Sequence, residues 1–230
     1  MSYRDIKAEC YQANLLLPEF KLIDLTFGNV SVADHDRAVF AIKPSGVDYT
    51  TLTESDIVVV DFHGQIVDGS LRPSSDTPTH RRLFQAFTGV RSIVHTHSRN
   101  AVAFAQAGMG IPCLGTTHAD YFYGEVPVTR PLTPEEIVSA YEWETGNVIV
   151  ERFQDIDPME ICAVLVWHHG PFVWGPNATK AVENAYALEI VAEMALKTAQ
   201  LNPGVQPISK DLLDKHFLRK HGSRAYYGQG

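Results

Sequence analysis

Cysteine is scarce in this chain, and none of it is paired. Cys10, Cys113 and Cys162 are the only three in 230 residues, far apart and without a Cys-x-x-Cys spacing. That leaves no basis for a disulfide framework or a thiolate zinc site, and it fits a reducing compartment. Positive charge is also short, with 19 Lys and Arg against 27 Asp and Glu and a formal net charge of -8. A nucleic-acid or anionic-membrane surface needs clustered cations, so neither partner is expected and any bound anion must be gripped locally. The longest apolar run, residues 161–167, is far too short to cross a bilayer. Residues 1–7 carry charge where an export signal needs an apolar core, so the expectation is a soluble, cytoplasmic protein. Repeats and low-complexity tracts are absent. A dinucleotide fingerprint is missing too: Gly108-x-Gly110 has Cys113 in place of the third glycine and follows a helical pattern, not a strand.

What is present suits a compact fold. Hydrophobic residues make up 45% of the chain and charged residues 20%, enough for one domain over residues 1–230 with a substantial core. Apolar periodicity predicts a helix from Tyr3 to Leu17 that Pro18 ends, and a long packing helix from about residue 177 or 179 to Gln200. Strands are predicted near Val30, from Ala38 to Ile42, around a hairpin turn at His63-Gly64, and over the apolar run 161–167. Ser75, Asp76 and Thr77 read as a helix start, Ser98 as the cap of the next helix, and Thr133-Pro134-Glu135-Glu136 as a capping box opening a helix through Ile137 and Tyr141. Residues 210–222 read as a basic tail.

The chemistry concentrates at Ile93-Val94-His95-Thr96-His97-Ser98. Alternate side chains of a strand share a face, so His95 and His97 emerge side by side, a metal-ligand geometry that still needs a third ligand. On their own, two such histidines are as often ordinary half-buried polar residues. Lys43-Pro44-Ser45-Gly46 offers a cation beside small residues that let an anion approach the backbone, although without Walker spacing it reads equally as a turn. Ser74 and Ser75 place hydroxyls at a helix amino terminus, where phosphate is also held. The run 161–167 delivers His168-His169-Gly170-Pro171, and only one of two adjacent histidines can face a given site. Residues 115–124, polar and aromatic in an apolar region, are expected to line something.

Six motifs in order, Lys43-Pro44-Ser45-Gly46, Pro73-Ser74-Ser75-Asp76-Thr77, His95-Thr96-His97-Ser98, Gly115-Thr116-Thr117-His118-Ala119-Asp120-Tyr121-Phe122, His169-Gly170-Pro171-Phe172 and Ala225-Tyr226-Tyr227-Gly228-Gln229, resemble the class II aldolase superfamily and, within it, the L-ribulose-5-phosphate 4-epimerases. The resemblance covers nearly the whole chain. It implies a three-layer α/β/α fold with a central, mostly antiparallel sheet, and a homotetramer with active sites between subunits. It implies a zinc ion, with Mn or Co as substitutes, on His95, His97 and His169, with Asp76 as an additional or adjustable ligand. It further implies a phosphate site of Gly28, Asn29, Lys43, Ser45, Gly46, Ser74 and Ser75 for a pentulose phosphate, and Asp120 and Tyr227 as the proton-transfer pair.

The reaction so implied can be derived from its substrate. C4 of L-ribulose 5-phosphate is β to the C2 carbonyl, so its hydrogen is not acidified, and no nicotinamide site is visible for an oxidation and reduction. That leaves cleavage of the C3–C4 bond, rotation of the aldehyde of glycolaldehyde phosphate, and re-addition of the enediolate to its other face. Each isomer presents its C4 oxygen to a different side, so two acid/base groups are needed. The rivals are an L-fuculose-phosphate aldolase-like enzyme, which the superfamily pattern associates with Glu at position 76, and an adducin-like scaffold without activity. Asp76, Asp120 and the Tyr-Tyr-Gly-Gln tail point to the epimerase.

Overall fold

The computed structural model describes residues 2–221 and residue 225. In chain order the elements are α1 (Arg4–Glu19), β1 (Asn29–Asp34), β2 (Val39–Ile42), β3 (Val58–Asp61), β4 (Ile66–Asp68), α2 (Thr77–Ala86), β5 (Ser92–His95), α3 (Arg99–Ala107), α4 (Thr116–Ala119), α5 (Pro134–Val138), α6 (Tyr141–Arg152), β6 (Ala163–Leu165), β7 (Pro171–Gly175), α7 (Ala178–Leu201) and α8 (Lys210–His221). The strands form one sheet in the order β4-β3-β2-β1-β5-β7-β6, and every paired ladder is antiparallel. An isolated parallel bridge, Val128 to Leu165, lies outside them. Helices α1, α3 and α7 pack together on one face, and α2 packs with α6 on the other. The α/β/α expectation holds.

Strand alternation explains which residues reach which layer. Asn29 pairs with His95 and Ser31 with Ile93, while His95 pairs with Phe172 and Ile93 with Trp174. Side chains in these two rows share a face. They meet α2 and α6, as shown by the 2.6 Å contact of Ser31 Oγ with His80 Nδ1 and by Trp174 packing on Phe87 and Phe153. Aromatic burial in this layer is dense, with Trp174, Phe40 and Phe172 all fully buried. Each such side chain contributes roughly 1.5–3 kcal/mol of transfer free energy.

Several sequence expectations need correction. Pro18 lies inside the last turn of α1, which runs on to Glu19, because the fixed φ of proline is itself helical and only one late hydrogen bond is lost. The capping box at Thr133 forms, with Glu136 Oε2 accepting from Thr133 N at 2.7 Å, but the helix stops at Val138 and a separate one begins at Tyr141. Only Ala163–Leu165 of the 161–167 run is strand, and β7, which starts on a proline as a strand can, was not anticipated. The basic tail is a helix, α8. Ser98 does not cap α3 with its side chain; Glu189 of α7 accepts from the amides of Asn100 and Ala101 at 2.9 and 3.0 Å. That carboxylate satisfies orphan amides at a positive helix end.

Asn14 shows how α1 is tied to the sheet. It is fully buried, accepts from Val30 N at 2.9 Å and donates to Val30 O at 3.0 Å, supplying the partner that β2 does not extend far enough to give. Asn14→Leu leaves Val30 N–H unpaired in the core, whereas the Cys10 thiol still reaches the Val30 carbonyl. We expect a loss of roughly 1–3 kcal/mol in urea unfolding; an unchanged midpoint would contradict this role.

Candidate functional site

The site is built where β1 begins, β5 ends and the turn between β6 and β7 crosses them. His95 is the last residue of β5, and His97 lies just past it in extended chain, so the two rings stay on one side with centroids 5.0 Å apart. The turn from β6 brings in His169, 4.8 Å from His95 and 5.2 Å from His97 by ring centroid. His168 in the same turn adopts a left-handed φ of 64° and packs on Trp167, away from the cluster. His95, His97 and His169 each offer a ligand atom, and these atoms lie within 4.8 Å of one another; among the described residues they are the group able to hold a metal ion.

Their protonation suits a cation. A carbonyl oxygen only accepts, so the 2.9 Å contact of His95 Nδ1 with Pro171 O puts the proton on Nδ1 and leaves the Nε2 lone pair facing His97 Nε2 at 3.2 Å. Burial, reinforced by repulsion from His95, lowers the pKa of both His97 and His169, so both are neutral near pH 7. Tyr141 stands 3.4 Å from His169 Nδ1, and Phe27 stacks on His97. Three imidazole nitrogens facing one point fit a divalent metal.

Asp76 occupies the cap position of α2 but makes no cap hydrogen bond, contrary to the simplest reading of its motif. Its carboxylate instead accepts from Asn29 Nδ2 at 2.7 Å. Burial opposes its charge, but the nearby His95 and His80 rings and the Asn29 amide outweigh that and hold the carboxyl below its ordinary range. Asn29 Oδ1 is buried without a partner among the described residues. A buried acceptor left in this way marks where a ligand hydroxyl would be satisfied.

A single cavity of about 410 Å³ is lined by Gly28, Asn29, Lys43, Ser45, Gly46, Ser74, Ser75, Asp76, His95, His97 and His169. The sequence-derived phosphate and metal residues are therefore brought together. Thr26, Phe27, Tyr141 and Glu142 also line it and were not anticipated. Tyr141 and Glu142 reach it because α5 stops short and α6 restarts there. One expected feature changes character: the turn amides do not all face the cavity, since Ser45 N donates to Arg72 O at 2.9 Å and Ser74 N to Lys43 O at 3.0 Å. These bonds brace the 43–46 turn against residues 72–74. Lys43 is only 2% exposed, donates to Val47 O at 2.6 Å, and has its pKa lowered by burial, with Asp48 opposing.

Asp120 does not line this cavity. Its carboxylate is held by His216, Arg219 and Lys220 of α8, whose hydrogen bonds outweigh burial and keep its pKa below the usual range. Tyr227 lies outside the described residues. The 115–124 segment lines a separate cavity of about 220 Å³ with Val191, Met194 and Thr198 of α7, and its His118 donates to Gly124 O at 2.7 Å.

The sequence matches the Class II Aldolase and Adducin N-terminal domain family over residues 8–196. The chain belongs to that family. It is 50% identical over 224 residues to the L-ribulose-5-phosphate 4-epimerase UlaF of Salmonella paratyphi A, covering 97% of this chain and 98% of the relative. Among solved structures, an L-fuculose 1-phosphate aldolase superposes with a TM-score of 0.79 at 25% identity, covering 94% of this chain and 96% of that one. The L-fuculose-1-phosphate aldolase of Thermus thermophilus gives 0.67 at 30% identity, covering 89% and 98%. Aldolase-family structures therefore share the three-layer fold described above.

Buried histidines set an acid limit on this architecture. Burial lowers His80 to about 3 and His118 to about 4, the latter partly opposed by its bond to Gly124, against an ordinary value of 6.5. Between those values the unfolded chain binds protons that the folded chain excludes, so stability falls as pH drops from about 6.5 toward 4. Urea unfolding at stepped pH should show that decline, and His118→Gln should flatten it; an equal slope in both proteins would contradict the assignment.

Proposed function

We propose that this chain interconverts L-ribulose 5-phosphate and D-xylulose 5-phosphate by breaking and re-forming the C3–C4 bond. The observation that carries this is the single cavity uniting anion donors with three imidazoles, in a chain half identical to an epimerase along almost its full length. A divalent ion, zinc with Mn or Co as substitutes, would be held by His95, His97 and His169, with Asp76 as an additional or adjustable ligand, and would supply a Lewis acid for the charge that develops on the C2 and C3 oxygens.

The chain's own residues do the rest. Lys43 and the Ser45, Ser74 and Ser75 hydroxyls hold the phosphate, so the two-carbon aldehyde stays in place while it turns. Gly28 lets the backbone approach closely: at φ 80° it has no room for a Cβ, which would stand 2.8 Å from Ile23 Cγ2 and 2.9 Å from His95 O. Asn29 offers its unpaired Oδ1 to a sugar hydroxyl and steadies Asp76.

Proton transfer at the C4 oxygen falls to Asp120 and Tyr227 on opposite sides. Asp120 sits outside the cavity of its own chain, which supports its serving the cavity of an adjacent subunit in a homotetramer. There its carboxylate, once released from His216, Arg219 and Lys220, would accept the C4 hydroxyl proton of one isomer, and the Tyr227 phenol would serve the other. One catalytic domain spanning residues 1–230 and a cytoplasmic setting complete the reading.

Incubation with L-ribulose 5-phosphate should give D-xylulose 5-phosphate without accumulation of free glycolaldehyde phosphate. His97→Ala should lose bound metal and lower the rate on the order of 1,000-fold, while His168→Ala keeps both. Accumulated aldehyde would favour the aldolase alternative, and full activity in His97→Ala would sink the metal assignment.

A further inference from the structure

A residue outside every motif joins the two walls of the anion-binding half of the cavity. Tyr49 lies in the loop after β2 and is only 6% exposed. β2 pairs with β1 no further than Ser31 to Ile42, so the carbonyls of Phe27 and Gly28, beyond that pair, have no partner from β2. The Tyr49 hydroxyl takes that place, donating to Gly28 O at 2.8 Å and more distantly to Phe27 O at 3.4 Å. From the opposite side a Cβ on Gly28 would meet His95 O, so the loop is held between the tyrosine and the strand that carries the imidazoles.

The ring of the same tyrosine supports the other wall. Lys43 Nζ sits 4.5 Å from its centroid, a cation–π distance, while donating to Val47 O at 2.6 Å and Pro44 O at 3.4 Å. Two of the three ammonium hydrogens are thus directed to the loop, and one is left to meet a ligand. An aliphatic side chain at position 49 offers neither the hydroxyl nor the negative ring face. Burial raises the phenol pKa, so the hydroxyl stays a donor.

We infer that Tyr49 is a positioning residue for phosphate: its hydroxyl fixes the Gly28 loop and its ring fixes the Lys43 ammonium, setting the gap in which the anion sits. It touches neither substrate nor metal ligand and acts through Gly28 and Lys43. The inference rests on reading this cavity as the phosphate site.

Its test is a calorimetric titration of the metal-loaded enzyme with inorganic phosphate, which requires no turnover. Tyr49→Phe, nearly isosteric, removes the hydroxyl alone and should weaken phosphate binding about 3- to 10-fold. Tyr49→Leu removes the ring as well and should weaken it by about a further 3- to 10-fold. Metal content should be unchanged in both variants. In a Lys43→Met background the difference between Phe and Leu at position 49 should vanish. With substrate, Tyr49→Phe should raise KM and leave kcat near wild type, the split expected when a ground-state contact is loosened. Wild-type phosphate affinity in Tyr49→Phe and Tyr49→Leu, or an undiminished Phe-to-Leu difference without Lys43, would overturn the inference. If the wild-type enzyme itself fails to bind phosphate, the phosphate reading of the cavity falls with it.

Discussion

The site depends on the register of three antiparallel strands. With Asn29 opposite His95 and His95 opposite Phe172, one row of side chains crosses β1, β5 and β7 on a single face. A slip of one residue would turn His95 into the opposite layer and Asn29 away from Asp76. The same row sets the chemistry of the histidine. Phe172 stacks on its ring at 4.2 Å between centroids, and the Pro171 carbonyl fixes its proton on Nδ1. Strand pairing, usually an argument about stability, here determines which nitrogen can accept a cation.

An acidic protein must gather positive potential locally to hold an anion. The cavity offers few groups for this: one deeply buried lysine, hydroxyls on a braced turn, and a cluster of imidazoles that would become strongly electropositive with a divalent ion bound. The arrangement is sensitive because its one cation is already desolvated. The pKa of Lys43 is lowered by burial, and among the described residues it is the one lysine lining the cavity, so its displacement is not compensated. An anion bound there would therefore depend on the loop residues that seat that one ammonium.

The candidate pair His95 and His97 was legible because His-x-His spacing reflects strand geometry, whereas the choice of His169 over His168 came from the family resemblance. His-x-His on a strand end and a histidine after an apolar run are short-range patterns, and they fall where the sheet ends. The layer order came from the family resemblance and not from local spacing. What was hidden depends on distant partners or on breaks that periodicity does not register. The α5 helical pattern runs without interruption into α6, yet Ser139 adopts φ -81° and ψ -100°, which ends α5 and lets Tyr141 open a new helix at the cavity. Glu189 caps a helix 89 residues earlier, which no local motif can announce. β7 begins with a proline and was read only as a motif, although it is the strand that positions His95. The placement of Asp120 beside α8 was invisible because α8 itself read as a tail.

Bond cleavage distinguishes this account from any deprotonation at C4 or hydride-transfer route. The most direct measurement is to run the reaction in D2O with substrate labelled with ¹³C separately at C3 and C4, following deuterium content and isotope effects in the product. Cleavage and re-formation of the C3–C4 bond predicts that the C4 hydrogen is retained without exchange and that ¹³C at both C3 and C4 slows the reaction. Deuterium entering at C4, or a ¹³C effect confined to C4, would contradict it.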